Sequence, residues 1–265
     1  MRIDVHTHAF HDKIAGKAIE QLVKHYKNDI SGIGTREDLL KVMDEASIDM
    51  AFVHCAATVP EQVVPANTWA IELAGNPRFL PFGTVHPGYP HWEEELDRLE
   101  RKGLIGIKFH PDFQGFNLDD KSLFPIYEAI EKRFIAMFHV GDVFPPDKNP
   151  SSPQKLASVL RNFPSLTAIA AHFGGYCHWE WVKESLIGLK FFMDTSSSLK
   201  FIPDHLLKEI LSSFPEECFL FGSDYPVGNP LEEIRLLEKK AGFSETQIDA
   251  LLSRGEALIN GIRTG

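Results

Sequence analysis

Cysteine is scarce in this chain. Only Cys55, Cys177 and Cys218 occur in 265 residues, widely spaced and with no CxxC pair. That spacing argues against a disulfide framework and against a thiolate-built zinc site. Long hydrophobic runs are missing too, since none approaches the roughly 20 apolar residues that a bilayer-spanning helix needs. The opening Met-Arg-Ile-Asp-Val-His has neither the apolar stretch nor the cleavage site of a secretory signal, so a cytoplasmic protein is expected. Positive charge is in deficit: 27 Lys and Arg face 37 Asp and Glu, a net charge of −10. Such a surface repels phosphates at long range, which excludes nucleic acid and anionic membrane as expected partners and leaves a small-molecule substrate. No GxGxxG follows the first apolar run, which weakens an open doubly wound sheet as the architecture. Low-complexity tracts and internal repeats of 20–50 residues are absent as well.

What is present is alternation. Eight short apolar runs recur at 3–8, 50–56, 79–85, 104–110, 134–140, 166–172, 189–195 and 218–224. They are nearly continuous in apolar character, as parallel strands buried on both faces are. Helical patterns with start signals lie between them. Thr35 with Asp38 resembles a capping box, Ser152-Pro153 and Asn229-Pro230 each place a capping residue before a proline, and Ser244 with Gln247 opens a last helix. Eight strand-helix units over 265 residues predict an α/β fold, a single-domain (β/α)8 TIM barrel spanning 1–265, with C-terminal helices at about 229–262 packed on the barrel. The Pro- and Asp-rich stretch 141–150 follows strand five and is expected to form a rim loop or lid.

Twelve histidines stand out, and their placement matters more than their number. Strand side chains alternate faces, so His6 and His8 in Asp-Val-His-Thr-His point the same way. His139 ends strand five and Asp224 ends strand eight. Three imidazoles and a carboxylate form a sensible catalytic site for a divalent ion, expected to be zinc, with manganese, iron or cobalt as alternatives. His172 ends strand six as a further ligand, a general acid or an oxyanion donor. Lys108 and His110 share a face of strand four. Lys108 either pairs with an acid, binds a substrate carboxylate, or is carboxylated and bridges a second metal. His54, His86 and Asp194 end strands two, three and seven, and with His110 they are expected to line the substrate pocket if they are more than structural. A barrel directs all these ends to one rim. His11, His25, His91, His178 and His205 receive no role.

In order along the chain, Ile-Asp-Val-His-Thr-His, Gly-Ile-Lys-Phe-His-Pro, Met-Phe-His-Val-Gly, Ala-Ala-His-Phe-Gly-Gly and Phe-Gly-Ser-Asp-Tyr-Pro resemble the strand-end motifs of the amidohydrolase superfamily. The branch is the amidohydrolase-related group that includes aminocarboxymuconate-semialdehyde decarboxylase. The resemblance runs from residue 3 to about 228. It implies a metal on His6, His8, His139 and Asp224, with His172 catalytic beside it and Asp224 acting as ligand and base together. Two reactions follow. The first is hydrolysis of a small ester, lactone or amide by metal-activated water. The second is non-oxidative decarboxylation of an aromatic or unsaturated carboxylic acid. The chain is shorter than the decarboxylases, which places hydrolysis first at this point. Barrels of this group often pair, so a homodimer is left open.

Overall fold

The computed structural model describes residues 1–27 and 29–263. Eight strands form one sheet in the order β1 to β8, and every neighbouring pair is parallel. They are β1 (Ile3–Thr7), β2 (Met50–His54), β3 (Phe79–Thr84), β4 (Gly106–Phe109), β5 (Ile135–Phe138), β6 (Thr167–Ala170), β7 (Phe192–Asp194) and β8 (Phe219–Leu220). The sheet closes on itself through single hydrogen bonds. Val5 N donates to Phe221 O at 2.9 Å, Asp224 N to His6 O at 2.7 Å and His8 N to Tyr225 O at 2.7 Å.

The helices are α1 (Asp12–Tyr26), α2 (Arg36–Glu45), α3 (Val63–Leu73), α4 (Trp92–Arg101), α5 (Pro111–Gln114), α6 (Phe124–Ile130), α7 (Pro153–Asn162), α8 (Trp179–Leu186), α9 (Asp204–Ser213), α10 (Pro230–Leu236), α11 (Glu245–Ser253) and α12 (Gly255–Arg263). The start signals operate as the sequence reading expects. Thr35, Ser152, Asn229 and Ser244 each cap the helix that follows, and Ser244 with Gln247 completes a capping box.

Strand residues divide between two apolar clusters because successive side chains face opposite ways. Val53, Ile107, Phe109, Ala136, Phe138, Ala168 and Ala170 pack with helix residues such as Leu39, Leu99, Leu123 and Val159. Phe52, Phe82, Met137, Ile169 and Leu220 belong to the second cluster. The parallel register puts Lys108, Met137, Ile169 and Phe192 in line, so the face that carries the second cluster is also the face on which Lys108 emerges. Strands seven and eight are shorter than their apolar runs. In β8 the ladder stops at Leu220, and the segment after it bonds to β1 singly while Asp224 adopts a left-handed backbone, φ 58°. No helix among the described residues is long and apolar enough to cross a membrane.

Candidate metal centre

Every singled-out residue sits at or just beyond the C-terminal end of its strand. His6, His54, Lys108 and Asp194 lie in β1, β2, β4 and β7, while His8, His110, His139, His172 and Asp224 follow β1, β4, β5, β6 and β8. Parallel strands thus converge all of them on one rim.

One set of side chains with metal-ligand spacing is His6, His8 and Asp224. Asp224 Oδ1 lies 3.4 Å from His6 Nε2 and 3.4 Å from His8 Nε2. Donor atoms bound at about 2.1 Å to one tetrahedral ion are about 3.4 Å apart, so the spacing fits a divalent cation. The charge states fit as well. Burial, and then the Lys108 ammonium, hold the His6 imidazole well below its usual proton affinity, which leaves a lone pair free. Burial alone would raise the Asp224 carboxyl, but His6, His8 and His172 outweigh it and keep the carboxylate ionised well below the usual range. Its other oxygen, Oδ2, accepts from Ser197 Oγ at 2.7 Å.

His6 is aimed by what holds its other nitrogen. Nδ1 meets Asp194 Oδ2 at 2.9 Å and Ser196 Oγ at 3.0 Å, so Nδ1 carries the proton and Nε2 presents the lone pair. Asp194 was expected among substrate-facing residues, and the structure corrects this. It is fully buried, and its Oδ1 also accepts from His172 N at 3.2 Å, Ser196 N at 2.9 Å and Ser196 Oγ at 2.5 Å. His6, His172 and Asp194 form a second set with metal-ligand spacing. Their shared neighbour is the Ser196 hydroxyl, which bonds all three and fills the place an ion would need.

His139, the fourth expected ligand, stands apart from the triad. Its Nδ1 is 3.1 Å from His172 Nε2, its ring stacks on His110 at 3.9 Å, and its Nε2 lies 4.0 Å from Asp112 Oδ2 without a hydrogen-bond partner among the described residues. Lys108 is fully buried, with Nζ 3.2 Å from His6 Nε2. Burial brings its ammonium down to about 8, opposed by Asp224 and Asp194.

Two other expected pocket residues turn out to be fastened to backbone. His54 Nε2 donates to Val5 O at 2.9 Å, which ties β2 to β1. His86 contacts Gln114 O through Nε2 at 3.1 Å and accepts from Gly88 N through Nδ1 at 3.1 Å, so both nitrogens are spent on the chain. Gln114 is a strut that sequence reasoning missed. Its Oε1 accepts from His110 N at 2.8 Å, and its Nε2 donates to Ala57 O at 2.9 Å and Val85 O at 2.8 Å. It fixes His110 against the ends of β2 and β3.

Asp112, Tyr26, Ser196 and Ser197 were also missed. Asp112 accepts from Ser151 Oγ at 2.5 Å and Asn149 Nδ2 at 3.1 Å, which pins the far end of the 141–150 stretch. His25 Nε2 meets Asp142 Oδ2 at 2.9 Å and His178 Nε2 donates to Phe144 O at 2.6 Å, so two histidines without an assigned role hold that stretch as an anchored rim. The backbone carries its own signature. His172, Ser197 and Asp224 all have φ between 49° and 63°, a region that non-glycine residues enter at a cost and that concentrates at functional sites. No local sequence signal marks it.

With this geometry in hand, comparison with known proteins is informative. The family described as Amidohydrolase matches residues 3–254. A 2-amino-3-carboxymuconate-6-semialdehyde decarboxylase from Dictyostelium discoideum is 29% identical over 210 residues, 63% of this chain and 56% of that protein, so the match spans little more than half of the relative's length. Solved structures share the fold across nearly the whole chain. An uncharacterized TIM-barrel protein from Bordetella bronchiseptica superposes with a TM-score of 0.80 at 16% identity over 99% of both chains. A 5-carboxyvanillate decarboxylase from Novosphingobium aromaticivorans, complexed with manganese and a nitrobenzoic acid, gives 0.72 at 16% identity over 98% and 96%. A probable 2-pyrone-4,6-dicarboxylic acid hydrolase from Acinetobacter baumannii gives 0.68 at 14% identity over 98% of each chain. At these identities the structural likeness speaks for the fold alone.

Proposed function

Because the chain belongs to the amidohydrolase family, we propose that it is a metal-dependent, non-oxidative decarboxylase of an aromatic or unsaturated carboxylic acid. The observation that carries this reading is Lys108. A fully buried ammonium sits 3.2 Å from His6 and makes no ion pair with a carboxylate among the described residues. Asp224 and Asp194 act on it only at a distance, so its N–H groups can still take a direct anionic partner, and a carboxylic acid brings one. Two of the relatives described above are decarboxylases, against one probable hydrolase.

His6, His8 and Asp224 would hold the ion, with His139 as a proposed fourth donor. Bound there, a divalent cation supplies positive charge that withdraws electrons from the acid's oxygens. Lys108 binds and orients the carboxylate. The bond from carboxylate carbon to substrate carbon then breaks, carbon dioxide leaves, and the electron pair stays on the substrate carbon, which takes up a proton. His172 is the residue proposed to hand it over. Its Nδ1 faces the Ser196 carbonyl at 3.1 Å, an oxygen that can only accept, so the proton would be exchanged at Nε2, which meets His139 Nδ1 at 3.1 Å.

Hydrolysis of a small ester, lactone or amide, placed first by the sequence alone, is the second reading. The observation in its favour is Asp224, a carboxylate shared between ligation and Ser197 and available as a base for water. Carbon dioxide release from a panel of hydroxybenzoates and muconate-type acids, run beside an ester, lactone and amide panel on the metal-loaded protein, separates the two. Decarboxylation predicts release from at least one acid. Turnover confined to the esters, lactones or amides would overturn it.

A further inference from the structure

Beside the metal triad lies a second polar group that the proposed reaction does not use, built on a residue far from every strand end. Tyr26 closes α1, and its hydroxyl lies 3.5 Å from His110 Nε2, its one hydrogen-bond partner among the described residues. His110 is 6% exposed, and its Nδ1 has no partner. The two rings belong to an aromatic wall: His110 stacks on Phe113 at 4.3 Å and on His139 at 3.9 Å, and Tyr26 meets Phe113 at 6.2 Å and Tyr176 at 6.1 Å. The neighbouring His25–Asp142 contact at 2.9 Å fastens this end of α1 to the rim.

The tautomer decides what the pair can do. If Nε2 accepted from the phenol, the Nδ1 hydrogen would be buried without an acceptor, the costlier orphan. With Nε2–H donating to Tyr26 Oη, the unpartnered Nδ1 is only a lone pair, and the phenol hydrogen remains free for a ligand. The field sets the ligand's charge. Asp224, Asp142 and Asp112 all lie close enough, on top of burial, to hold the phenol well above its usual range. The phenol therefore stays a donor, and Asp142 and Asp112, neither of them in the metal triad, disfavour a second anion there.

We propose that Tyr26 and His110 form a subsite for a neutral hydroxyl oxygen on the substrate ring, and that Tyr26 is the specificity-determining residue. This rests on the decarboxylase reading, in that the ligand is an acid whose carboxylate is held at the triad and Lys108. The phenol hydrogen donates to the added oxygen, and the aromatic wall flanks the ring.

The test is calorimetric binding to metal-loaded wild-type protein and Tyr26→Phe. The ligands are 2-hydroxybenzoate, the dihydroxybenzoates that add one ring hydroxyl to it, and a benzene dicarboxylate. Metal content of both proteins is measured in parallel, and carbon dioxide release is assayed separately. The wild type is expected to bind at least one dihydroxy acid about tenfold more tightly than the monohydroxy parent, as one added hydrogen bond gives. Tyr26→Phe should remove that gain, read within each protein as the ratio of dihydroxy to parent affinity, while the metal content holds. A gain that survives the substitution, the absence of any gain, or preferred binding of the dicarboxylate would overturn the subsite. Absence of carbon dioxide release with the hydroxyl preference intact would instead count against the reaction.

Discussion

Asp194 meets neither the expected ion nor the expected substrate, yet two histidines depend on it. One oxygen orients His6 through Nδ1, and the other accepts from the backbone N–H of His172, whose left-handed conformation needs such support. An asparagine in its place keeps the shape but can turn an N–H toward His6 Nδ1. That would move the ring's proton to Nε2, the atom facing Asp224. Asp194→Asn is therefore expected to weaken metal binding about 10- to 100-fold, read by titration of the apo-protein against a competing chelator. Unchanged affinity would show that Asp194 does not set the tautomer. At this scale the sequence was partly legible. His6 and His8 could be paired because a strand's two-residue period is local. Tyr26 could not be found, since its partner His110 is 84 residues away and α1 carries no chemical motif. Asp194 was visible as a polar strand end, but its role depends on which atoms surround its two oxygens, and that is decided by β1 and β6 together.

Among the elements, the segment after β8 is closely confined beside the triad. A Cβ on Gly222 would stand 2.9 Å from His6 Cβ and 3.1 Å from Asp194 Cβ, so the glycine lets β8 pass beside β1 and β7 at the level of the metal triad. Gly222→Ala is expected to destabilise the fold by about 1–3 kcal/mol and to lower metal affinity in the same protein, measured by thermal melts and metal titration. A control from another element separates the two effects. Ser244 caps α11 by accepting from Gln247 N at 3.3 Å, remote from the triad. Ser244→Ala should cost about 1 kcal/mol while metal affinity holds. If Gly222→Ala moved only the melting temperature, the packing argument would fail. Helix starts were legible because a cap and its target lie within three residues. The early end of β8 was not, because the apolar run continues while the backbone turns to meet β1.

For the molecule as a whole, buried Glu233 makes one contribution of known sign to the response to pH. Glu233 is 2% exposed, its Oε2 has no partner, and burial raises it from its ordinary 4.5 to about 8, with Lys200 opposing. The folded state therefore keeps a proton that the unfolded chain releases. The resulting stability is complete below about 4.5 and is lost as pH rises toward about 8. Glu233→Gln removes the titration, so its stability relative to wild type should increase between about pH 5 and about pH 9, followed by denaturant midpoints. Parallel curves would refute the assignment. The architecture was the most legible feature of all. Eight buried runs separated by capped helices leave few alternatives to closure, and the alternation of β and α elements is a global pattern that survives errors at individual boundaries.

That closure has a consequence for the order of synthesis. Two members of the triad, His6 and His8, precede the third, Asp224, by more than 200 residues, so they are made well before it. The bonds that join β1 to residues 221–225 are also the bonds that bring the three together. A ribosome-bound chain lacking that segment cannot assemble the triad, however long its two histidines have been exposed. Metal capture at the triad would thus have to wait until synthesis has passed Asp224, and a product terminated before it would be barred from that chemistry.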